Sequence, residues 1–153
     1  MGAGNKITII AEAKKGCPDI ETLKKVVSET LRMEGIKNDI GVNLLLTDDK
    51  KIKELNRQFL GRNEPTDVLA FGAKKRSPYN KNLKGFIGEI AVSAETAEYN
   101  AERFNTTTEK EIFLYIIHGM LHLLGYEDRT KKEKGLIQKR QNKILEVVWQ
   151  KII

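Results

Sequence analysis

The stretch TEKEIFLYIIHGMLHLLGYED, residues 108–128, carries apolar side chains on nearly every face of a predicted helix. Thr106 and Glu109 have the spacing of a capping box, so we expect the helix to begin beside them. Gly125 is typical of the position that ends a helix. A helix that is apolar all round belongs in the interior of a domain. The stretch therefore predicts a central buried helix against which the rest of the chain packs.

The segments around this helix show strand and helix patterns in turn. Strict alternation at Ile40, Val42, Leu44 and Leu46 predicts a half-buried strand. Predicted strands cover about residues 6–12, 40–46, 67–71 and 86–92, and the other predicted helices cover about 18–35, 48–61, 93–103 and 130–151. This order predicts a single α+β domain over residues 1–153, with about four strands and about five helices.

Bulk composition excludes several classes of protein. The 153 residues are 40% hydrophobic and 31% charged, which is typical of a globular soluble domain. No apolar run reaches the roughly 18 residues that a membrane-spanning helix needs. The N-terminal residues do not form an export signal, so we expect a cytoplasmic protein without a membrane partner. The single cysteine excludes an internal disulfide.

Positive charge is concentrated in two places. Residues 129–153 hold eight basic and two acidic residues, which accounts for the whole net charge of +6. A second cluster lies in the predicted loop between the third and fourth strands: Lys74, Lys75, Arg76, Lys81 and Lys84. Such stretches suit a phosphate backbone, and they are equally typical of a solvated helix face and loop. Charge alone therefore leaves nucleic-acid binding open.

The two histidines of the chain lie four residues apart on the central helix. His118 and His122 project from one face and interrupt an apolar surface. Buried imidazoles need hydrogen-bond partners or a metal. Backbone groups or Tyr126 would satisfy them in a purely structural role, whereas a divalent cation would satisfy both at once.

A third metal ligand is available just beyond the helix. Gly125 permits the left-handed backbone that reverses the chain, which would return Asp128 to the histidines, with Glu127 as the competing carboxylate. Two histidines and one carboxylate form a known open zinc set that leaves a position for water. Water bound there loses a proton near neutral pH and becomes a nucleophile. The zinc peptidase pattern H-E-x-x-H would need a glutamate where this chain has Gly119.

Three motifs resemble one known family. The string HGMLHLLGYED, residues 118–128, is similar to the YbeY signature H-G-x-L-H-L-x-G-Y-D-H. The string NRQFLGRNEPTDVLAFG, residues 56–72, resembles the family's N-x-x-Y-R-x-x-D-x-P-T-D-V-L-S-F-P, and GEIAVS resembles G-D-I-x-I-S. The resemblance implies a mixed four-stranded sheet and a zinc-type metal on His118, His122 and residue 128. It also implies a metal-dependent, single-strand-specific endoribonuclease in ribosomal RNA maturation and ribosome assembly, with ribosomal RNA or the small ribosomal subunit as its partner.

The chain departs from the family pattern at three positions. The third ligand is Asp128 instead of histidine. This carboxylate is a harder donor than imidazole, so the ligand set does not fix which metal binds. The family's arginine falls on Leu60, which cannot contact a phosphate, and Arg62 lies two residues later as a substitute. The family's aspartate becomes Asn63, with Glu64 beside it.

Three functions are consistent with these residues. The first is an endoribonuclease in which His118, His122 and Asp128 hold one divalent metal, for which the donor types favour Zn²⁺. In that function Arg62 contacts a phosphate, and the basic loop from Lys74 to Lys84 binds RNA. The second is a non-catalytic RNA-binding assembly factor with a structural metal. The third is a metallopeptidase whose base comes from elsewhere, with Glu89, Glu95 and Glu111 as candidates.

Overall fold

A computed structural model of the chain describes residues 4–12, 17–63, 66–72 and 77–152. Within these residues the chain forms four strands and five helices, which confirms the predicted α+β class. The strands are β1 (Lys6–Ala11), β2 (Ile40–Thr47), β3 (Val68–Gly72) and β4 (Gly85–Ser93). The helices are α1 (Ile20–Met33), α2 (Asp49–Leu60), α3 (Ala94–Arg103), α4 (Thr108–Leu123) and α5 (Lys131–Ile152).

The strands form one mixed sheet in the order β1-β2-β4-β3. β1, β2 and β4 run parallel, and β3 lies antiparallel to β4 at the sheet edge. Parallel neighbours need a crossover connection, and α1 supplies it between β1 and β2. The mixed sheet implied by the family resemblance is thus confirmed.

The central helix occupies the position that its composition predicts. Helix α4 packs against β3 and β4 and is flanked by α1, α3 and α5. Its fully buried side chains include Phe113, Ile116 and Ile117. Helix α2 covers part of the opposite sheet face, where its Ile52 packs with Leu69 of β3 and Ala91 of β4. The two histidines therefore lie on the most deeply buried of the described helices. The cap of this helix is Thr107, one residue after the expected Thr106, and its side chain accepts a hydrogen bond from the Lys110 backbone.

Two glycines allow α4 to approach the sheet closely. A Cβ atom on Gly119 would lie 2.9 Å from Cγ2 of Ile90 and 3.3 Å from Cγ2 of Val68. Gly88 in β4 has φ +149°, and a Cβ there would lie 2.4 Å from the Phe71 carbonyl oxygen and 2.8 Å from Cδ2 of Leu123. The helix that carries both histidines is thereby held directly on β3 and β4.

None of the helices in the described residues is both long and apolar enough to cross a bilayer.

Candidate metal centre

The two histidines face each other across one turn of α4. Their ring centroids lie 4.6 Å apart with an interplanar angle of 76°, and their Nε2 atoms are 3.0 Å apart. Both side chains are half-buried. The i, i+4 spacing thus places two ring nitrogens at one point on the helix surface.

A chain reversal after α4 brings the predicted acid to these nitrogens. Gly125 has φ +108°, and the Tyr126 backbone N–H donates to the Leu121 carbonyl at 3.0 Å. Oδ2 of Asp128 then lies 3.4 Å from Nε2 of His122. Among the described residues, one donor atom each from His118, His122 and Asp128 lies within 4.8 Å of the others. These are the three residues that the sequence predicts as ligands.

Glu127, the competing carboxylate, has a different neighbour. Its Oε1 lies 3.4 Å from a guanidinium nitrogen of Arg129, and it is outside the compact group of possible metal donors among the described residues. The geometry therefore favours Asp128 as the third donor.

The hydrogen bonds on the far side of each ring fix where the lone pairs point. Nδ1 of His118 lies 2.5 Å from Oε1 of Gln141, and Nδ1 of His122 lies 3.0 Å from the Tyr126 carbonyl oxygen. Both oxygens accept, so both Nδ1 atoms carry the proton and both Nε2 atoms present a lone pair. Two lone pairs and a carboxylate at this distance repel unless a cation lies between them.

The three donors fit a zinc-type ion. Two Zn–N bonds of about 2.0–2.1 Å at a tetrahedral angle place their nitrogens about 3.3 Å apart, close to the 3.0 Å between the Nε2 atoms. Burial, followed by the neighbouring His118, lowers the pKa of His122 below its usual value, while Asp128 opposes this shift. A neutral imidazole is the form that binds a metal. The chemistry of the donor set therefore fits a divalent metal better than a shared proton.

The buried carboxylate of Glu34 holds the loop that carries Asp128 in place. The Glu34 carboxylate at the end of α1 is 3% exposed. It accepts hydrogen bonds from the Tyr126 hydroxyl at 2.7 Å and from Nε of Arg140 at 2.5 Å. Nζ of Lys81 lies 3.6 Å from the same carboxylate. Burial, followed by the hydrogen bond to Glu34, raises the pKa of Tyr126, so the Tyr126 hydroxyl stays protonated and remains a donor. These contacts tie the loop after α4 to α1 and α5.

The three donors open into a cleft of about 720 Å³ between the end of α2, the edge strand β3 and the loop after α4. Arg62, predicted as the substitute for the family's arginine, lies in its wall together with Leu60. Arg129 lies in the same wall. It was not among the candidates drawn from the sequence, although it directly follows Asp128 and begins the basic segment 129–153. The cleft thus joins a metal-binding group to two arginines.

The predicted basic loop is only partly described. Lys74, Lys75 and Arg76 lie outside the described residues, as does Glu64. Lys81 and Lys84 are exposed, and neither belongs to the described lining of the cleft. Their predicted contact with RNA stays a prediction.

None of the peptidase bases that the sequence offers as candidates lies in the described lining of this cleft. A side chain at Gly119 would enter the contact between α4 and β4. Among the other candidates, Glu95 accepts from the Asp49 backbone at 2.9 Å and Glu89 from Asn43 at 3.3 Å. Glu111 is buried, and none of the three lies in the described cleft lining. The geometry does not favour a peptidase.

Several known proteins of one family are similar to this chain. The family model described as Endoribonuclease YbeY matches residues 10–148. A protein from Thermotoga sp. (strain RQ2) named Endoribonuclease YbeY is 41% identical over 147 residues, covering 94% of this chain and 89% of that protein. A protein of the same name from Syntrophus aciditrophicus is 34% identical over 140 residues, covering 90% and 86%.

A solved structure shows the same architecture. The solution structure of a Thermotoga maritima protein is 37% identical to this chain and superimposes with a TM-score of 0.67. The match covers 95% of this chain and 90% of that one. With a family model that spans nearly the whole chain and relatives well above 30% identity, this chain belongs to the YbeY family of endoribonucleases.

Proposed function

We propose that this chain is a metal-dependent endoribonuclease that cleaves single-stranded RNA, and that ribosomal RNA in the cytoplasm is its substrate. Membership of an endoribonuclease family supports hydrolysis of RNA. The observation that carries the proposal is the set of three donor atoms, His118, His122 and Asp128, which open into a cleft walled by Arg62 and Arg129.

The site residues divide into two groups by chemistry. His118, His122 and Asp128 would hold one divalent metal, and their donor types favour Zn²⁺. When bound, such a metal acidifies water and neutralises charge that develops on a phosphate. In a neutral imidazole, a hydrogen bond from Nδ1 to Gln141 or to the Tyr126 carbonyl places the proton on Nδ1 and the lone pair on Nε2.

The two arginines would contact the RNA backbone. A guanidinium donates two parallel hydrogen bonds to a phosphate and stays charged at any working pH. Arg62 and Arg129 approach the cleft from different elements, the end of α2 and the loop after Asp128. Together they would hold a phosphate beside the metal donors, a role that Leu60 cannot perform at the position of the family's arginine. Lys81, Lys84 and the basic residues 74–76 would extend this contact along the RNA.

The open side of the metal centre supports catalysis over a structural role. Structural zinc sites are normally closed by four protein ligands, whereas three compact donors are present in the described part of the chain. Asp128 has a half-exposed side chain, so water reaches the site. A purely structural metal would not need this access.

The test is cleavage of single-stranded ribosomal RNA fragments by purified protein with and without added zinc. We expect cleavage by the wild type, loss in His118→Ala, and reduced cleavage in Arg62→Met and Arg129→Met. Arg103→Met is the matched control, because Arg103 is exposed on α3 and lies outside the described cleft lining. Equal cleavage by His118→Ala would refute the assignment. Cleavage of other single-stranded RNA at the same rate would refute the ribosomal substrate.

A further inference from the structure

We infer that two consecutive residues of α5, Arg140 and Gln141, orient the two imidazoles of the metal centre, so that this helix completes the site. The inference rests on the proposed metal function of His118 and His122. It concerns positioning only, because the contacts of Arg140 and Gln141 reach the site through other side chains and through Nδ1.

Gln141 acts directly on the first histidine. It lies four residues after Ile137 and three before Ile144, both of which are buried on the inner face of α5. This spacing directs Gln141 towards α4, where its Oε1 is 2.5 Å from Nδ1 of His118. The carboxamide oxygen therefore accepts a hydrogen bond from Nδ1–H of His118 and leaves Nε2 free to bind a metal.

Arg140 acts on the second histidine through two intermediates. Its guanidinium donates to Glu34 at 2.5 Å and to the Met33 carbonyl at 2.7 Å. The other oxygen of Glu34 accepts from the Tyr126 hydroxyl at 2.7 Å. The carbonyl oxygen of Tyr126 is in turn the acceptor for Nδ1 of His122 at 3.0 Å. Neither histidine's orientation is thus set by α4 alone.

This arrangement has a consequence for metal affinity. A metal-binding histidine almost always donates its second ring N–H to an acceptor, and loss of that acceptor typically weakens metal binding by about 10–100-fold. Because the acceptor for His118 is a side chain, a substitution can remove it. The acceptor for His122 is a backbone carbonyl, so it can be disturbed only by releasing Tyr126 from Glu34 and Arg140.

The experiment is a titration of the full-length apo-protein with Zn²⁺ and with Co²⁺, following the dissociation constant and the visible absorption of bound Co²⁺. Gln141→Leu should weaken Zn²⁺ binding by about 10–100-fold. Gln141→Glu keeps an acceptor oxygen and should stay within about threefold of the wild type. Gln138→Leu is the matched control, since Gln138 is an exposed glutamine on the same helix, and it should bind like the wild type.

A second pair of variants examines the other contact. Arg140→Met removes the guanidinium and should weaken Zn²⁺ binding by about tenfold through the loop that holds Tyr126. Arg140→Lys keeps a positive charge near Glu34 and should recover part of that loss. Thermal unfolding without metal identifies any variant that does not fold. If Gln141→Leu does not fold, Gln141→Asn is used in its place, because the shorter side chain moves the acceptor oxygen away from His118 by one methylene group.

The outcomes separate the two levels of the claim. Wild-type protein that binds neither ion would refute the metal centre and the positioning role together. Wild-type binding with unchanged affinity in Gln141→Leu would refute the role of Gln141 and leave the metal centre intact. Equal losses in Gln141→Leu and Gln141→Glu would also refute it, because they would show that packing matters and the acceptor does not. Unchanged affinity in Arg140→Met would refute the role of Arg140.

Discussion

Substitution of Gly119 by alanine should destabilise the protein, although alanine is the better helix former. Gly119 lies inside α4, where an added Cβ would be 2.9 Å from Cγ2 of Ile90, 3.3 Å from Cγ2 of Val68 and 3.4 Å from Cδ1 of Ile90. Ordinary carbon contacts are about 3.5–4.0 Å. Ile90 is 1% exposed in the core and its Cγ2 is attached next to the strand backbone, so it cannot swing away.

The expected magnitude combines two opposing terms. Overpacking of a core by one methyl group costs about 1–3 kcal/mol, and alanine gains about 1 kcal/mol over glycine within a helix. We therefore expect the free energy of unfolding to fall by up to about 2 kcal/mol. For a chain of this length that is a decrease in Tm of up to about 8 °C.

Gly135→Ala provides the matched control. Gly135 lies in α5, and no heavy atom would lie within 4 Å of its added Cβ, so only the helix propensity changes. Its free energy of unfolding should rise by about 0.5–1 kcal/mol. Urea unfolding of both metal-free variants gives the comparison. If Gly119→Ala were stabilised as much as Gly135→Ala, the close contact between α4 and the sheet would be wrong.

Four further predictions concern the metal and two carboxylates, Glu34 and Glu29. Zinc at about 100 times its Kd should stabilise the wild type by about 2.7 kcal/mol and leave the Tm of His122→Ala unchanged in a thermal-shift assay. Asp128→Ala should weaken zinc binding at least about tenfold, whereas Asp128→His should retain it because imidazole is also a zinc ligand; equal affinities of these two variants in a competition titration would remove residue 128 from the site. Glu34→Ala should lower the free energy of unfolding, measured in urea, by about 2–4 kcal/mol, because it removes the buried carboxylate that pairs with Arg140. A loss below about 1 kcal/mol would contradict that account. A hydrogen bond from Arg32 is the main cause that lowers the pKa of Glu29. The contribution of Glu29 to stability is therefore present above about pH 4.5 and is lost as the pH falls through the lower pKa of the folded state. In acid unfolding, the stability of Glu29→Gln should change less with pH over that range than the stability of the wild type.

Local patterns in the sequence determine much of this protein. The apolar faces of residues 108–124 predict the buried helix, and the four-residue spacing predicts that His118 and His122 share a face. Gly125 predicts the reversal that returns Asp128. Each of these inferences depends on backbone geometry within a few residues, which repeats in every helix and helix end.

Contacts between distant segments were decided only by the tertiary structure. The partner of His118 is 23 residues away on α5, and the hydroxyl of Tyr126 meets a carboxylate 92 residues earlier. The strand order β1-β2-β4-β3 and the cleft that unites Arg62 with Arg129 are of the same kind. Such pairings depend on how whole elements pack and in what register, and no periodicity in the chain encodes which faces meet. The three candidate metal donors were therefore predictable from one helix and its turn, whereas their contacts with Gln141 and with the loop held by Glu34 were not.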